Sequence, residues 1–292
     1  MFVCKNIDND SFCDMFLCEQ KGLYVAPNIK VAKKYMSSVD CLTSPGAQYS
    51  PAYSVTNEDL RRAYQFMPKN AENVLVVSAS GDHPMFATLY GAGNIDTFDI
   101  SYNAKCVMDI KTIALQVLKY DEYKNLLNDL FFANDVQKIK NMDKIFDKLP
   151  IEEQNYMRAM RGYFLFNHGL AHYNPDLMVT ESEYNQMRKN IKKTFDFIWS
   201  DITSLHHHLN KQYDFIHLSN IFDFLDEDNR MYVLTNMMKY TKPNGVMCFQ
   251  SVWTKSASLC GYCDMLEQEN KEKWNVRNST KELMLHVLQR VR

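Results

Sequence analysis

The stretch Asn73–Ser101, NVLVVSASGDHPMFATLYGAGNIDTFDIS, constrains this chain more than any other. It opens with Val74-Leu75-Val76-Val77, an aliphatic, largely β-branched run suited to a strand buried on both faces. A tight turn of small residues follows, Ser78-Ala79-Ser80-Gly81-Asp82. Met85, Leu89 and Ala92 then recur at helical spacing, and Gly91 and Gly93 close the segment. A second buried run, Ile95 to Phe98, ends in Asp99. Strand, glycine turn, helix, strand and acid make the first half of a nucleotide-binding βαβ unit. The small side chains at Gly81 leave room for a ligand at the turn, and an acid at Asp99 can accept both hydroxyls of a ribose. The turn lacks GxGxxG, which removes the dinucleotide fingerprint and points to another adenosine-bearing ligand. A plain α/β core strand and turn is the alternative.

Length and composition narrow the rest. A chain of 292 residues with 46% hydrophobic residues forms one large domain or two small ones. With 9 Gly and 8 Pro, no long disordered linker is expected. Balanced charge, 33 Lys+Arg against 35 Asp+Glu, gives no basic field, so no nucleic-acid partner is expected. No apolar run approaches the ~20 residues of a membrane span. The start MFVCKNIDND lacks the apolar stretch of a signal peptide, so a cytoplasmic protein with reduced thiols is expected. Cys260-Gly-Tyr-Cys263 is a lone CxxC, and Cys4, Cys13 and Cys18 lack paired finger spacing. His206-His207-His208 reads as one exposed helix face. No metal site is expected.

Along the chain, residues 1–48 read as a helical N-terminal cap, with Phe12, Met15 and Phe16 at helical spacing. Thr56 reads as an N-cap, with Asp59 three residues on as an acidic capping-box partner, for a helix lined by Leu60, Ala63, Tyr64 and Met67. The α/β rhythm stops after Asp99. Residues 104–190 read as a helical insertion, a lid or acceptor pocket, beginning with one helix from Met108 through Phe132. Strands are expected near 74–78, 95–98, 196–199, 213–218 and 246–252, with Lys242-Pro243-Asn244-Gly245 as the turn before the last. The tail ends in an expected amphipathic helix bearing Leu283, Val287, Leu288 and Val291. The fold expected is α/β, a doubly wound, mostly parallel, Rossmann-like sheet. Residues 49–103 and 191–292 form the nucleotide-binding domain, interrupted by the insertion.

Ligands of such sheets bind outside the carboxyl ends of the strands. Gly81, Asp99, Asp201 and Asn220 all fall along that edge, and their convergence outweighs any one of them. Each has a plain alternative: Asp99 or Asp201 as a helix cap, Asn220 as loop chemistry.

Asp99, then Asp201-Ile202, a strand ending in Ser219-Asn220, and Lys242-Pro243-Asn244-Gly245 resemble the class I S-adenosylmethionine-dependent methyltransferase fold. One branch is closer. Tyr53-Ser54 with Glu58-Asp59, then Val74-Leu75 and Ser78-Ala79-Ser80-Gly81-Asp82, looks like the BtaA family. That family transfers the 3-amino-3-carboxypropyl group of S-adenosylmethionine to diacylglycerol. Asp99-Ile100, Ile110-Lys111, the run Leu118–Tyr123 and Leu218-Ser219-Asn220-Ile221 continue the pattern, which spans about half the chain. The resemblance implies S-adenosylmethionine as cofactor. Ser54, Ser78, Ala79, Ser80, Gly81 and Asp82 would line its methionine part, and Asp99 and Ile100 its ribose. Asp201 and Ile202 would meet the adenine, with Ser219 beside the sulfonium. Tyr53, Glu58, Asn220 and Asp223 are the implied catalytic set, with Tyr53 and Glu58 clamping the methionine arm and Asp223 a base. The acceptor expected is a small molecule or a lipid, and the alternatives are methyl transfer or a non-catalytic S-adenosylmethionine-binding protein of the same fold.

Overall fold

The computed structural model describes residues 52–56, 58–132, 139–160, 178–191, 195–251, 274–276 and 284–290. The expected cap at 1–48 and the Cys260/Cys263 pair lie outside these residues. Among the described residues, seven strands form one sheet. They are β1 (Asn73–Val77), β2 (Asn94–Asp99), β3 (Asp196–Trp199), β4 (Tyr213–His217), β5 (Thr241–Ser251), β6 (Trp274–Val276) and β7 (Met284–Arg290). Their spatial order is β3-β2-β1-β4-β5-β7-β6. The first five pair in parallel, while β7 runs antiparallel to β5 and β6. The fold is a doubly wound, mostly parallel α/β sheet.

Composition explains the order of the strands. Val74, Leu75 and Val76 of β1 are fully buried, as a central strand covered on both faces requires. Phe215 and Ile216 of β4, paired with Val74 and Leu75, are equally buried. β3 stands at the end of the sheet, and its residues are half-buried or exposed.

The chain divides into two compact units. One holds Glu58–Ser78, His83–Asp99 and Phe195–Arg292, and with them the sheet. It also carries helix α1 (Leu60–Tyr64), the body of α2 (Asp82–Leu89) and α8 (Glu227–Lys239). The other holds the segment before Glu58, Ala79–Asp82 and Ile100–Thr194. Among the described residues its helices are α3 (Tyr102–Val117), α4 (Tyr120–Phe132), α5 (Met142–Phe146), α6 (Ile151–Met160) and α7 (Glu181–Asn190), all within the connection from β2 to β3.

Four local expectations are corrected. The tail forms strand β7, not an amphipathic helix. Leu285, His286, Val287 and Leu288 are all buried, and the strand pairs with β5 from Val246↔Gln289 to Ser251↔Met284. So short an apolar run fits either period, and the unpaired edge of β5 decides it. Leu283 and Val291 lie outside the described residues. The Lys242–Gly245 turn is absorbed into β5, where its chemistry survives as an irregularity. The register with β4 shifts between Tyr213 and Phe215, and Asn244 is left-handed at φ 64°.

Helix α1 starts from Asp59, not Thr56, whose backbone N–H is instead held by the Asp82 carboxylate at 2.7 Å. The single helix expected through 108–132 is broken at Leu118-Lys119. Leu118 is extended, and its carbonyl accepts from the Tyr184 hydroxyl (2.6 Å) and the Arg188 guanidinium (2.7 Å) of α7. The Glu122 carboxylate then caps the Lys119 N–H at 2.9 Å to start α4. Tertiary partners for the freed backbone groups make that break, which helical periodicity alone does not show.

Candidate active site at the carboxyl edge of the sheet

Four neighbouring strands deliver polar residues to one edge in the spatial order β3, β2, β1, β4. Ser200 and Asp201 follow β3, Asp99 ends β2, Ser78 follows β1 and Ser219 follows β4 by one residue. Parallel pairing keeps these ends level. The Ser78 N–H donates to the Phe98 carbonyl (2.8 Å), and the Ser200 N–H to the Asp99 carbonyl (3.1 Å). In this order the winding reverses between β1 and β4, and there a doubly wound sheet opens its ligand crevice. Ser78 and Ser219 flank that point.

Asp99 and Ile100 are half-buried at the tip of β2, while Ser78 is fully buried. Asp201 is buried, and its Oδ1 accepts from the N–H (2.8 Å) and hydroxyl (2.9 Å) of Thr203. Turn capping therefore occupies one of its oxygens. The expected helix beyond it is a short 3₁₀ turn, Leu205–His207, and Ile202 is buried beside it. His207 and His208 are exposed, whereas His206 is half-buried, with its Nε2 3.1 Å from the Tyr232 hydroxyl.

A buried polar cluster occupies the switch point itself. Glu58, His83 and His217 are each almost inaccessible, and each brings a potential ligand atom within 4.8 Å of the others. The Ser219 hydroxyl donates to Glu58 Oε1, and Glu58 Oε2 lies 3.8 Å from His83 Nε2. The two imidazoles are tilted with centroids 4.7 Å apart. The Tyr64 ring stacks on His217 at 5.3 Å, and its hydroxyl donates to the His83 carbonyl at 2.8 Å.

Burial governs the charges here. It raises the Glu58 carboxyl to about 7, with a smaller push from Asp223, against the stabilising Ser219 hydroxyl and Asn220 N–H. Burial, reinforced by His83, holds His217 well below the usual imidazole range, so that ring is neutral. Its Nδ1 accepts the Ser219 N–H at 3.1 Å, which puts the ring proton on Nε2. In that tautomer Nε2 is a donor and has no lone pair for a metal ion.

Asn220 precedes the 3₁₀ turn Ile221–Phe224, and its carbonyl accepts the Asp223 N–H at 3.0 Å. Both residues are half-buried.

In the other unit, the Ala79–Asp82 turn is built around one carboxylate. Asp82 Oδ2 accepts from the Thr56 N–H and the Ser80 hydroxyl, each at 2.7 Å, and Oδ1 accepts from Lys111 Nζ at 2.7 Å. Lys111 is wholly buried, and its desolvation lowers the ammonium's pKa against the pull of Asp82. Gly81 sits at φ 78°, and a Cβ there would lie 2.7 Å from the Met108 backbone. Its smallness therefore serves close passage of α3. Ala79 is also left-handed at φ 45°. Ser54 is buried and Tyr53 half-buried.

Sequence reasoning singled out Glu58 and Ser219 separately but missed their contact, and it missed His83, His217 and the role of Lys111. His83 follows the noted Asp82 directly, and His217 is the last residue of β4. A histidine inside an apolar strand pattern is the one signal that was available.

No protein-family model and no curated protein matches the chain. Solved structures are matched at low sequence identity. The N-methyltransferase NodS from Bradyrhizobium japonicum WM9 is 10% identical with a TM-score of 0.39, over 80% of this chain and 92% of that one. An rRNA methylase from Streptococcus thermophilus is 8% identical with a TM-score of 0.40, over 82% and 99%. The ribosomal protein L11 methylase from Lactobacillus delbrueckii subsp. bulgaricus is 9% identical with a TM-score of 0.40, over 80% and 76%. These likenesses concern the fold alone, and the reading of the site rests on this chain's own geometry. That geometry is a doubly wound, mostly parallel sheet with antiparallel β7 set between β5 and β6.

Proposed function

We propose that this chain is an S-adenosylmethionine-dependent transferase that holds its cofactor along the carboxyl edge of β3, β2, β1 and β4. The observation that carries the reading is the row Asp201, Asp99, Ser78 and Ser219 across four neighbouring parallel strands, with the winding reversal inside it. This donor and acceptor set suits the cofactor. A carboxylate at Asp99 matches the paired hydroxyls of a ribose. Asp201, whose Oδ1 also holds the turn at Thr203, would accept from the adenine amino group, and the Ile202 N–H would reach an adenine ring nitrogen. Hydroxyls at Ser78 and Ser219 stand beside the switch point. S-adenosylmethionine supplies an activated carbon and its own leaving group, so the protein's task is to position an acceptor.

The finer proposal is transfer of the 3-amino-3-carboxypropyl group to a small-molecule or lipid acceptor. Its support is the resemblance carried by Tyr53-Ser54, Glu58-Asp59 and Ser80-Gly81-Asp82. The hydrogen bond from Ser219 adds to it, because it holds Glu58 of that motif at the tip of β4. In this reading Asn220 and Asp223 line the acceptor side. Methyl transfer is the general activity of the fold and the second reading. No helix among the described residues is long and apolar enough to cross a membrane. A cytoplasmic site of action is proposed with the rest.

Calorimetric titration with S-adenosylmethionine tests the cofactor. Asp99→Ala is expected to weaken binding about tenfold or more, since it removes charged hydrogen bonds worth ~1.5–3 kcal/mol each. Unchanged affinity in a folded variant removes Asp99 from the site. Product analysis tests the reaction: methylthioadenosine marks aminocarboxypropyl transfer, and S-adenosylhomocysteine marks methyl transfer.

A further inference from the structure

The transfer proposed above leaves a proton to be placed. An acceptor nucleophile, N–H, O–H or S–H, forms its new bond to carbon while the electron pair of the broken carbon–sulfur bond stays on sulfur. The nucleophile's proton must then go to a base. Asp223 is the sequence-level candidate, but it lies half-buried on the Ile221–Phe224 turn. The buried cluster at the switch point contains a better-built route.

Ser219 is held in the left-handed region at φ 54°, a conformation that non-glycine residues seldom adopt. Two hydrogen bonds keep it there. Its N–H donates to His217 Nδ1 at 3.1 Å, and its carbonyl accepts the Gln250 N–H at 2.7 Å. With the backbone fixed on both sides, the hydroxyl is directed at Glu58 Oε1. A second acceptor, Asn220 Oδ1, is farther away at 3.3 Å, so the single hydroxyl proton belongs to Glu58. Behind the carboxylate stands neutral His217. Its Nε2–H is buried and has no hydrogen-bond partner among the described residues.

We propose that Ser219 and Glu58 are the proton-accepting pair of the transfer: the nucleophile gives its proton to Ser219 Oγ as Ser219 passes its own to Glu58. This rests on the transferase reading. The balance closes without a further reactant: the carboxylate ends as a carboxylic acid and later returns its proton to water. His217 is a positioning residue, orienting Ser219 through Nδ1. Among the described residues, the ionisable groups near Glu58 include Tyr64 from α1, His83 from α2, His217 from β4 and Asp223 from the turn after it, with Cys248 of β5 acting on Tyr64. A carboxyl titrating near neutrality among such neighbours can accept a proton at working pH and release it again.

The test begins on the full chain without cofactor, carrying ¹³C-labelled glutamate, titrated from pH 5 to 9 by carboxyl NMR. The Glu58 signal is assigned by its loss in Glu58→Gln. Its midpoint is expected near 7, as burial dictates. Ser219→Gly, which suits the left-handed backbone and deletes only the hydroxyl, is expected to raise that midpoint by about one unit. Ser219→Ala gives a second reading of the same loss. Added Zn²⁺ is expected to leave the titration unchanged. Glu58 titrating in the ordinary carboxylate range, a midpoint indifferent to both Ser219 variants, or a signal displaced by stoichiometric Zn²⁺ each overturns the proposal. In turnover, the wild-type kcat should rise with pH around the same midpoint, and Glu58→Gln should lose that rise, with kcat falling more than S-adenosylmethionine affinity. A wild-type chain that binds no S-adenosylmethionine removes the transferase reading and this proposal with it. Binding together with an ordinary Glu58 titration removes the proposal alone.

Discussion

Replacing Lys111 by methionine should destabilise the protein severely, and the reason can be worked from three distances. Lys111 is wholly buried on α3, and its ammonium meets Asp82 Oδ1 at 2.7 Å. Removing the cation leaves a carboxylate whose side chain is only 14% exposed. Breaking a buried pair by deleting one partner costs about 3–5 kcal/mol, because the surviving charge stays desolvated. The Thr56 N–H and the Ser80 hydroxyl still reach Oδ2 at 2.7 Å, so the lower end, about 3 kcal/mol, is expected. At about 2–4 °C per kcal/mol for a chain of this size class, the melting temperature should fall by roughly 6–12 °C. Asp82→Asn in the same chain removes the stranded charge. The double variant should therefore be more stable than Lys111→Met alone. Urea denaturation of the wild type, both single variants and the double variant completes the cycle. A Lys111→Met loss below about 1 kcal/mol, or a double variant whose loss equals the sum of the singles, refutes the reasoning.

Two further outcomes can be read without a ligand. Gly81→Ala should cost more than about 1 kcal/mol, since it combines a left-handed φ of 78° with a Cβ placed 2.7 Å from the Met108 backbone. Thermal melting checks it, and an unchanged melt refutes the packing argument. Glu58 should give the protein a distinctive pH dependence, because its folded carboxyl is raised from 4.5 to about 7. A raised folded value means that the group's contribution is fully present below its unfolded pKa and is lost as pH climbs to the folded one. From pH 5 to 8 the wild type should therefore lose about 3 kcal/mol relative to Glu58→Gln. His217, held neutral in the fold, shifts stability in the opposite sense on acidification. It does so in both proteins, so the difference between them isolates Glu58. A gap that stays constant with pH sinks the assignment.

The parts of this fold that were legible in the sequence share one property: their local pattern and their tertiary environment demand the same thing. Val74–Val77 has strand-forming residues and is buried on both faces, so β1 could be read directly. The same holds for Tyr213–His217, and for the acid that closes β2. Where the two levels disagree, the reading failed in a consistent direction. The run Met284–Arg290 is equivocal by itself and becomes a strand because the edge of β5 has unpaired backbone groups to offer. Lys242–Gly245 carries turn residues, yet pairing with β4 draws it into β5 with a left-handed Asn244. Helical periodicity runs across Leu118, but α7 supplies partners for its freed carbonyl, and the helix ends there.

The candidate site shows the same division, with a chemical consequence. Acids and hydroxyls at strand ends can be found from sequence, because topology alone sends every such residue to one edge. Partnerships cannot, because they join positions far apart in the chain: Glu58 with Ser219, Asp82 with Lys111, His83 with His217. These partnerships also decide what each group can do. Asp82 has both oxygens engaged in shaping its turn, which makes it a scaffold residue before any ligand role. Glu58, spaced identically in the motif whatever it touches, is a poor base if it is solvated and a better one if it is buried. Its burial at the winding reversal raises the carboxyl toward neutrality, which is the basis of the proton-accepting role proposed for it. The chemistry of this edge therefore depends less on which residues the motif contains than on which of them are buried and which are paired.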